Sequence, residues 1–162
     1  PYGHRLRDLL AEQGLLEGAR AALVGGYSGA LLTADRFDVE LTPSALGALK
    51  ASLGTKSIQV IGADQCPVAV TAEIVGYFAA ETAEQCPPCH RGLPDMARLL
   101  RDLDSGTGGP DAVRELDTFM STLFGRGVCR LPDGAARVAL SLLSNFPDEV
   151  EQHTLSGCPL KS

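Results

Sequence analysis

Three cysteines carry the strongest chemical signal in the chain. Cys86 and Cys89 lie in Gln85-Cys86-Pro87-Pro88-Cys89-His90-Arg91-Gly92, and Cys129 lies in Gly127-Val128-Cys129-Arg130-Leu131-Pro132-Asp133-Gly134. A close thiol pair joined by a distant third can converge on one inorganic centre, because thiolates are preferred ligands of iron–sulfur clusters and zinc. Three is one short of the usual four. The C-x-x-C spacing alone also suits zinc or a redox disulfide. A thioredoxin-like disulfide would need a strand before the pair, and here a helical pattern precedes it. His90 offers a further zinc ligand. On the residues alone, metal or cluster binding leads, with a redox disulfide and plain buried thiols as the alternatives.

The remaining composition narrows the setting. The chain has 162 residues, 44% of them apolar, which fits one ordinary domain or two small ones with a real core. Its net charge of −6 gives no basic field for nucleic acid or anionic lipid. No stretch reaches the roughly 18–20 apolar residues of a membrane span, so no membrane insertion is expected. The five cysteines, Cys66, Cys86, Cys89, Cys129 and Cys158, are odd in number and sparse for a secreted disulfide scaffold, so a reducing cytoplasm is the expected compartment. Cys66 reads most simply as a core thiol, since free cysteine packs as a small hydrophobe. Pro1-Tyr2-Gly3-His4 reads as the middle of a domain, and the chain is expected to be a piece of a longer polypeptide.

The elements that must position the cysteines follow from periodicity. The first third is mixed. Arg5–Glu12 has helical spacing and ends at Gln13-Gly14; Ala21-Ala22-Leu23-Val24 is a buried strand closed by Gly25-Gly26. Pro43–Leu49 is a short helix capped by Thr42, and Ser57–Ile61 alternates as a strand. Past Gly62 helical periodicity takes over. Helices are predicted over about 68–83 and 90–104, then from Pro110, and finally from just after Asp133, which is placed to cap the last one. Pro147 must kink or restart that last helix. The fold expectation is α+β, with a small mixed domain over residues 1–64 and a four-helix bundle over 65–162. Up one helix and back on the next, the chain returns Cys129 to the end that carries Cys86 and Cys89. Both segments precede helix N-termini, which favour thiolates and an anionic cluster.

At these residues a resemblance emerges. Glu81-Thr82-Ala83-Glu84-Gln85-Cys86-Pro87-Pro88-Cys89-His90-Arg91-Gly92 resembles the E-S-C-G-x-C-x-P-C-R-x-G segment of the NADH-binding flavoprotein subunit of respiratory complex I. Cys129–Ala136 is similar to that family's C-x-x-G-D-A-A segment, and Phe146–His153 to its F-R-D-E-F-E-x-H segment. Upstream, Gly25–Leu32 resembles its G-G-x-S-x-x-L-L turn, and Leu53–Val60 its L-G-S-G-x-I-x-V segment. The resemblance implies a β-grasp-like soluble-ligand-binding domain (SLBB) over residues 1–64, followed by a helical domain that holds a [4Fe–4S] cluster. FMN and NAD are expected only on an upstream domain or a partner subunit, because the family's glycine-rich phosphate loop is absent here.

One departure changes the ligand set. The family's first cysteine falls on Ala83, which cannot ligate iron. Cys158 is the expected replacement, brought back by a reversal at Phe146-Pro147, so the expected cluster ligands are Cys86, Cys89, Cys129 and Cys158. Glu84 or His90 as a substitute, a [3Fe–4S] cluster, or no cluster are the alternatives. The expected function is electron transfer from an NADH-reduced flavin on the upstream domain or partner, on to a downstream acceptor protein. Arg91 and Arg130, beside the ligands, would oppose the cluster's negative charge. The contrasting reading is a cluster-less or zinc-bound docking module of an NADH dehydrogenase-like protein, with the Gly25–Gly29 turn as an anion-binding contact.

Overall fold

The computed structural model describes residues 3–161; Pro1 and Tyr2, part of the expected mid-domain start, lie outside the described residues. Helix α1 (Leu6–Glu12) leads into a hairpin of β1 (Ala19–Val24) and β2 (Ala30–Thr33), then helix α2 (Pro43–Ala48) and strand β3 (Ile58–Gly62). The sheet order is β2-β1-β3, both pairs antiparallel, with Leu23 opposite Leu31 and Gln59. Strand β2 is an addition to the sequence reading, in which Ala30-Leu31-Leu32 continues a turn. Thr42 caps α2 as expected, its Oγ1 accepting the Ala45 N–H at 3.3 Å.

Five helices follow: α3 (Pro67–Ala80), α4 (Leu93–Ser105), α5 (Gly109–Leu123), α6 (Leu131–Asn145) and α7 (Pro147–Ser156). Pro147 does restart the last predicted helix, dividing it into α6 and α7. Helix α3 stops three residues earlier than expected, freeing residues 81–87 as an irregular segment. The amphipathic stripe of α4, Leu93, Met96, Leu99, Leu100 and Leu103, is buried, as are Leu116, Met120 and Leu123 of α5. Asp133 is not the N-cap of α6 but a buried residue inside its first turn.

The sheet serves two cores. Its period-two alternation sends Ala22, Val24, Ala30 and Leu32 toward Leu6, Leu10, Phe37 and Leu46, while Ala21, Leu23, Leu31 and Ile61 join the helical core. Helix α6 also seals the free edge of β2: the Leu31 N–H donates to Ser141 Oγ at 2.8 Å, and Asn145 Nδ2 donates to the Leu31 carbonyl at 2.7 Å. An exposed strand edge is thereby satisfied by side chains instead of a further strand. The ion pair between Arg20 and Glu149 ties β1 to α7. The glycine turn after β1 is structural as well. Arg137 Nη1 donates to the Ser28 carbonyl at 3.2 Å, and Gly134 of α6 leaves room for Ser28, where a Cβ would clash.

Candidate metal centre

Residues 81–92 form the first wall of the site. After α3 ends, Cys86 leads into a single π-helical turn, Pro88–Gly92, which runs directly into α4. The N–H groups of Cys89 and His90 both donate to the Cys86 carbonyl, at 3.0 and 2.9 Å. Pro87 and Pro88 lack N–H groups and leave no donors unpaired in this tight curl. Such wide turns are frequent at functional positions. Gly92 permits the close approach of α5, since a Cβ there would meet Leu123 Cδ2 at 2.6 Å.

The second wall is the loop between α5 and α6, which carries Cys129. Asp133 holds it. Its Oδ1 accepts the Gly125 N–H at 2.9 Å and its Oδ2 accepts from Arg130 Nη1 at 3.0 Å, although Arg130 itself is exposed. The loop brings the Val128 N–H to Cys86. That donor, then the Cys89 N–H, holds the Cys86 thiol below its ordinary pKa by stabilising the thiolate. Cys89 is pushed the other way, first by burial, and then by the neighbouring charges of Cys86 and Cys129, with the Thr82 hydroxyl opposing. The three sulfurs therefore share one pole of the helical half, at the N-terminal ends of α4 and α6. Cys86 and Cys89 are buried and Cys129 is exposed.

The fourth expected sulfur is elsewhere. The Cys158 N–H donates to the Asp104 carbonyl at 3.2 Å, at the C-terminal end of α4, whereas Cys89 precedes the N-terminal end of that helix. Thirteen residues of helix, about 20 Å at 1.5 Å per residue, separate the two. Cys158 instead packs against Cys66 and His153. Pro147 restarts the helix, but the chain does not turn back toward the motif cysteines: after α7 the tail remains at the C-terminal end of α4. Glu84 and His90 pair with each other on the surface, His90 Nδ1 lying 3.3 Å from Glu84 Oε2. Ala83 is exposed beside them. Arg91 is exposed on the same rim. Glu84 stands where the resembling motif has glycine and keeps glycine's backbone, with φ of +54°.

Chemically, the donor set fits an anionic sulfur-ligated centre with one position lacking a cysteine. Cys86 and Cys89 adjoin each other and Cys129 stands on the neighbouring loop, although the three sulfurs do not all lie within 4.8 Å of one another. Cys86 is already biased toward thiolate by two backbone donors, and both segments lead into helix N-termini. Sequence reasoning singled out Cys86, Cys89 and Cys129 but not the neighbouring Thr82 hydroxyl, the Val128 amide or the clamping role of Asp133, none of which has a spacing signature.

Comparison with known proteins places the helical half in an iron–sulfur binding family. The family model described as the NADH-ubiquinone oxidoreductase-F iron-sulfur binding region matches residues 69–153, just over half of the chain. The chain belongs to this iron–sulfur binding region family. The matched span begins in α3 and ends in α7, so it takes in all three motif cysteines. The chain is 34% identical over 163 residues to an NADH-quinone oxidoreductase subunit of Streptomyces coelicolor, covering 98% of this chain and 36% of that relative. It is 27% identical over 156 residues to the corresponding subunit from Escherichia coli, covering 93% and 35%. The chain thus spans about a third of the length of these relatives. The fold of an NAD+-reducing [NiFe]-hydrogenase crystallised in the H2-reduced state superposes with a TM-score of 0.84 at 22% identity, over 98% of this chain and 27% of the other. The likeness extends through the sheet as well as the family's helical region. Among the described residues, no helix is long and apolar enough to cross a membrane.

Proposed function

We propose that the protein is an electron-transfer module whose iron–sulfur cluster is held by Cys86, Cys89 and Cys129. The observation that carries this reading is that the segments bearing Cys86, Cys89 and Cys129 lie side by side at one pole, with backbone donors aimed at Cys86, in a chain of the iron–sulfur binding region family. An iron–sulfur cluster supplies one-electron redox chemistry. The chain's own residues ligate, orient and insulate. The Val128 and Cys89 amides favour the anionic form of Cys86, Thr82 does the same for Cys89, and Asp133 fixes the loop that bears Cys129. Donors of this kind raise a cluster's potential, and the exposed Arg91 and Arg130 add to that field.

Ala83 leaves the fourth position without a cysteine. The cluster is accordingly a [4Fe–4S] species with one non-cysteine ligand, Glu84, His90 or solvent, or a [3Fe–4S] species. The electron donor in this proposal is an NADH-reduced flavin, with FMN and NAD bound elsewhere in the polypeptide or on a partner subunit, and the acceptor is a further redox protein in a reducing, cytoplasmic setting. Residues 1–64 act as the β-grasp-like soluble-ligand-binding unit and residues 65–162 as the cluster unit, with α3 to α6 as its four-helix bundle. Supporting this division is the sheet's second core, which α1 and α2 cover independently of the long helices.

Anaerobic purification followed by iron and sulfide analysis tests the proposal. Three or four irons per chain with matching sulfide, and an electron paramagnetic resonance signal that changes on one-electron reduction, are expected. A colourless protein with zinc at Cys86, Cys89 and Cys129 would establish the docking-module alternative that Ala83 otherwise favours.

A further inference from the structure

Cys66 meets His153, 87 positions later, and the nearby Cys158 at the opposite end of α4 from the motif cysteines. Cys66 caps α3, His153 is on α7, and Cys158 follows it. One ligand atom from each lies within 4.8 Å of the other two. All three are buried: His153 is fully enclosed, Cys66 is 5% exposed and Cys158 8%. Cys66 Sγ is 3.2 Å from His153 Nε2, while His153 Nδ1 is 3.3 Å from the Leu103 carbonyl.

The imidazole is the informative group. Its Nδ1–H is committed to a backbone carbonyl, which fixes the tautomer and leaves the Nε2 lone pair directed at the two sulfurs. Metal-binding histidines are oriented in this way, one nitrogen donating to a carbonyl or carboxylate and the other ligating. A tetrahedral zinc, with bonds of about 2.3 Å to sulfur and about 2.0 Å to nitrogen, places its donors about 3.5–3.8 Å apart. The observed cluster needs only small side-chain rotations to reach that geometry. Two thiolates and an imidazole are a borderline-soft set, suited to zinc more than to magnesium or calcium.

We propose that Cys66, His153 and Cys158 form a second, structural metal site that binds zinc, separate from the three motif cysteines. A solvent-derived oxygen completes the tetrahedron on the side where Cys158 approaches the surface. Binding displaces one proton from each thiol, giving a neutral zinc dithiolate in place of two buried thiols. The site staples the first residue of the helical half to the tail beyond α7. In the unfolded chain the same link would close a loop from 66 to 158, the kind of long-range closure whose entropy favours the folded state most.

The test uses the full-length protein purified anaerobically with its cluster, exposed to zinc chloride and then to a mild chelator. One zinc per chain is expected beyond the iron. Cys66→Ser and Cys158→Ser should each lose that zinc while iron and sulfide stay unchanged. Cobalt in place of zinc should show thiolate charge-transfer absorption in the wild type that both variants lack. Should either variant fail to fold, peptide-resolved alkylation of the wild type decides: zinc must shield Cys66 and Cys158 and raise the melting temperature. Equal alkylation with and without zinc, zinc retained by both variants, or a Cys66–Cys158 disulfide in the anaerobic protein would overturn the site. Iron and sulfide content reports separately on Cys86, Cys89 and Cys129, so loss of one reading leaves the other standing.

Discussion

The two ends of α4 hold two sulfur clusters built on different principles. At the N-terminal end, Cys86 and Cys89 come from one short turn, Cys129 reaches the rim, and backbone amides and helix dipoles supply the electrostatics. At the C-terminal end, Cys66, His153 and Cys158 come from three separate elements, are buried, and a side-chain imidazole faces the sulfurs. The first arrangement suits an exchangeable electron: anionic, donor-rich and near the surface. The second suits a permanent tie: buried, and neutral once metal-bound. Partial exposure and N–H donors to sulfur tune a redox centre, whereas burial and long-range ligand separation convert binding energy into fold stability.

The largest effect expected on this contrast is from Cys89→Ser, which should abolish cluster binding and leave zinc at the other pole; iron analysis beside zinc analysis reads both at once. Unchanged iron would remove Cys89 from the ligand set. Cys158→Ser should do the reverse, keeping the cluster and lowering the melting temperature of the zinc-loaded protein. If it removed iron instead, the tail would belong to the cluster after all. Ala83→Cys should restore a fourth sulfur on the first pole. It is expected to raise iron toward four per chain and to slow bleaching in air, and a variant indistinguishable from wild type in both would mean that position 83 does not face the cluster.

Smaller effects test the supports. Asp133→Ala removes the acceptor of the exposed Gly125 N–H and should cost about 0.5–1.5 kcal/mol in denaturant unfolding. It should also speed cluster loss by loosening the Cys129 loop; a stability loss with unaltered cluster lifetime would make Asp133 a packing residue only. Glu84→Gly relieves a left-handed backbone position and should stabilise by about 0.5–1 kcal/mol. The exposed pair with His90 that it sacrifices is worth little. A destabilised Glu84→Gly protein whose cluster is also lost would point to Glu84 as the missing ligand.

Several features were legible in the sequence because their causes are local. Helical stripes such as Leu93, Met96, Leu100 and Leu103, the Thr42 cap and the restart at Pro147 each depend on residues within a turn or two of one another. Strand β2 was not, because Ala30–Thr33 is only four residues long and acquires its edge partners from Ser141 and Asn145, more than a hundred positions away. Asp133 looked like a cap since its type and position before an apolar run suit one, but the helix begins two residues earlier and the carboxylate turns to the preceding loop.

The ligand sets divide in the same way. The amino-acid sequence by itself determined the C-x-x-C pair, the third cysteine ahead of a helix and the loss of a sulfur at Ala83, because motif spacing is local and topology returns a helical hairpin to its starting end. Only the tertiary structure decided where Cys158 goes. The direction of α7 is set by Phe146 and Val150 joining the core and by Arg20 holding Glu149. Packing of this kind, summed over many contacts, is invisible in a string of residues, yet it brings Cys66 to the His153 and Cys158 of the distant tail.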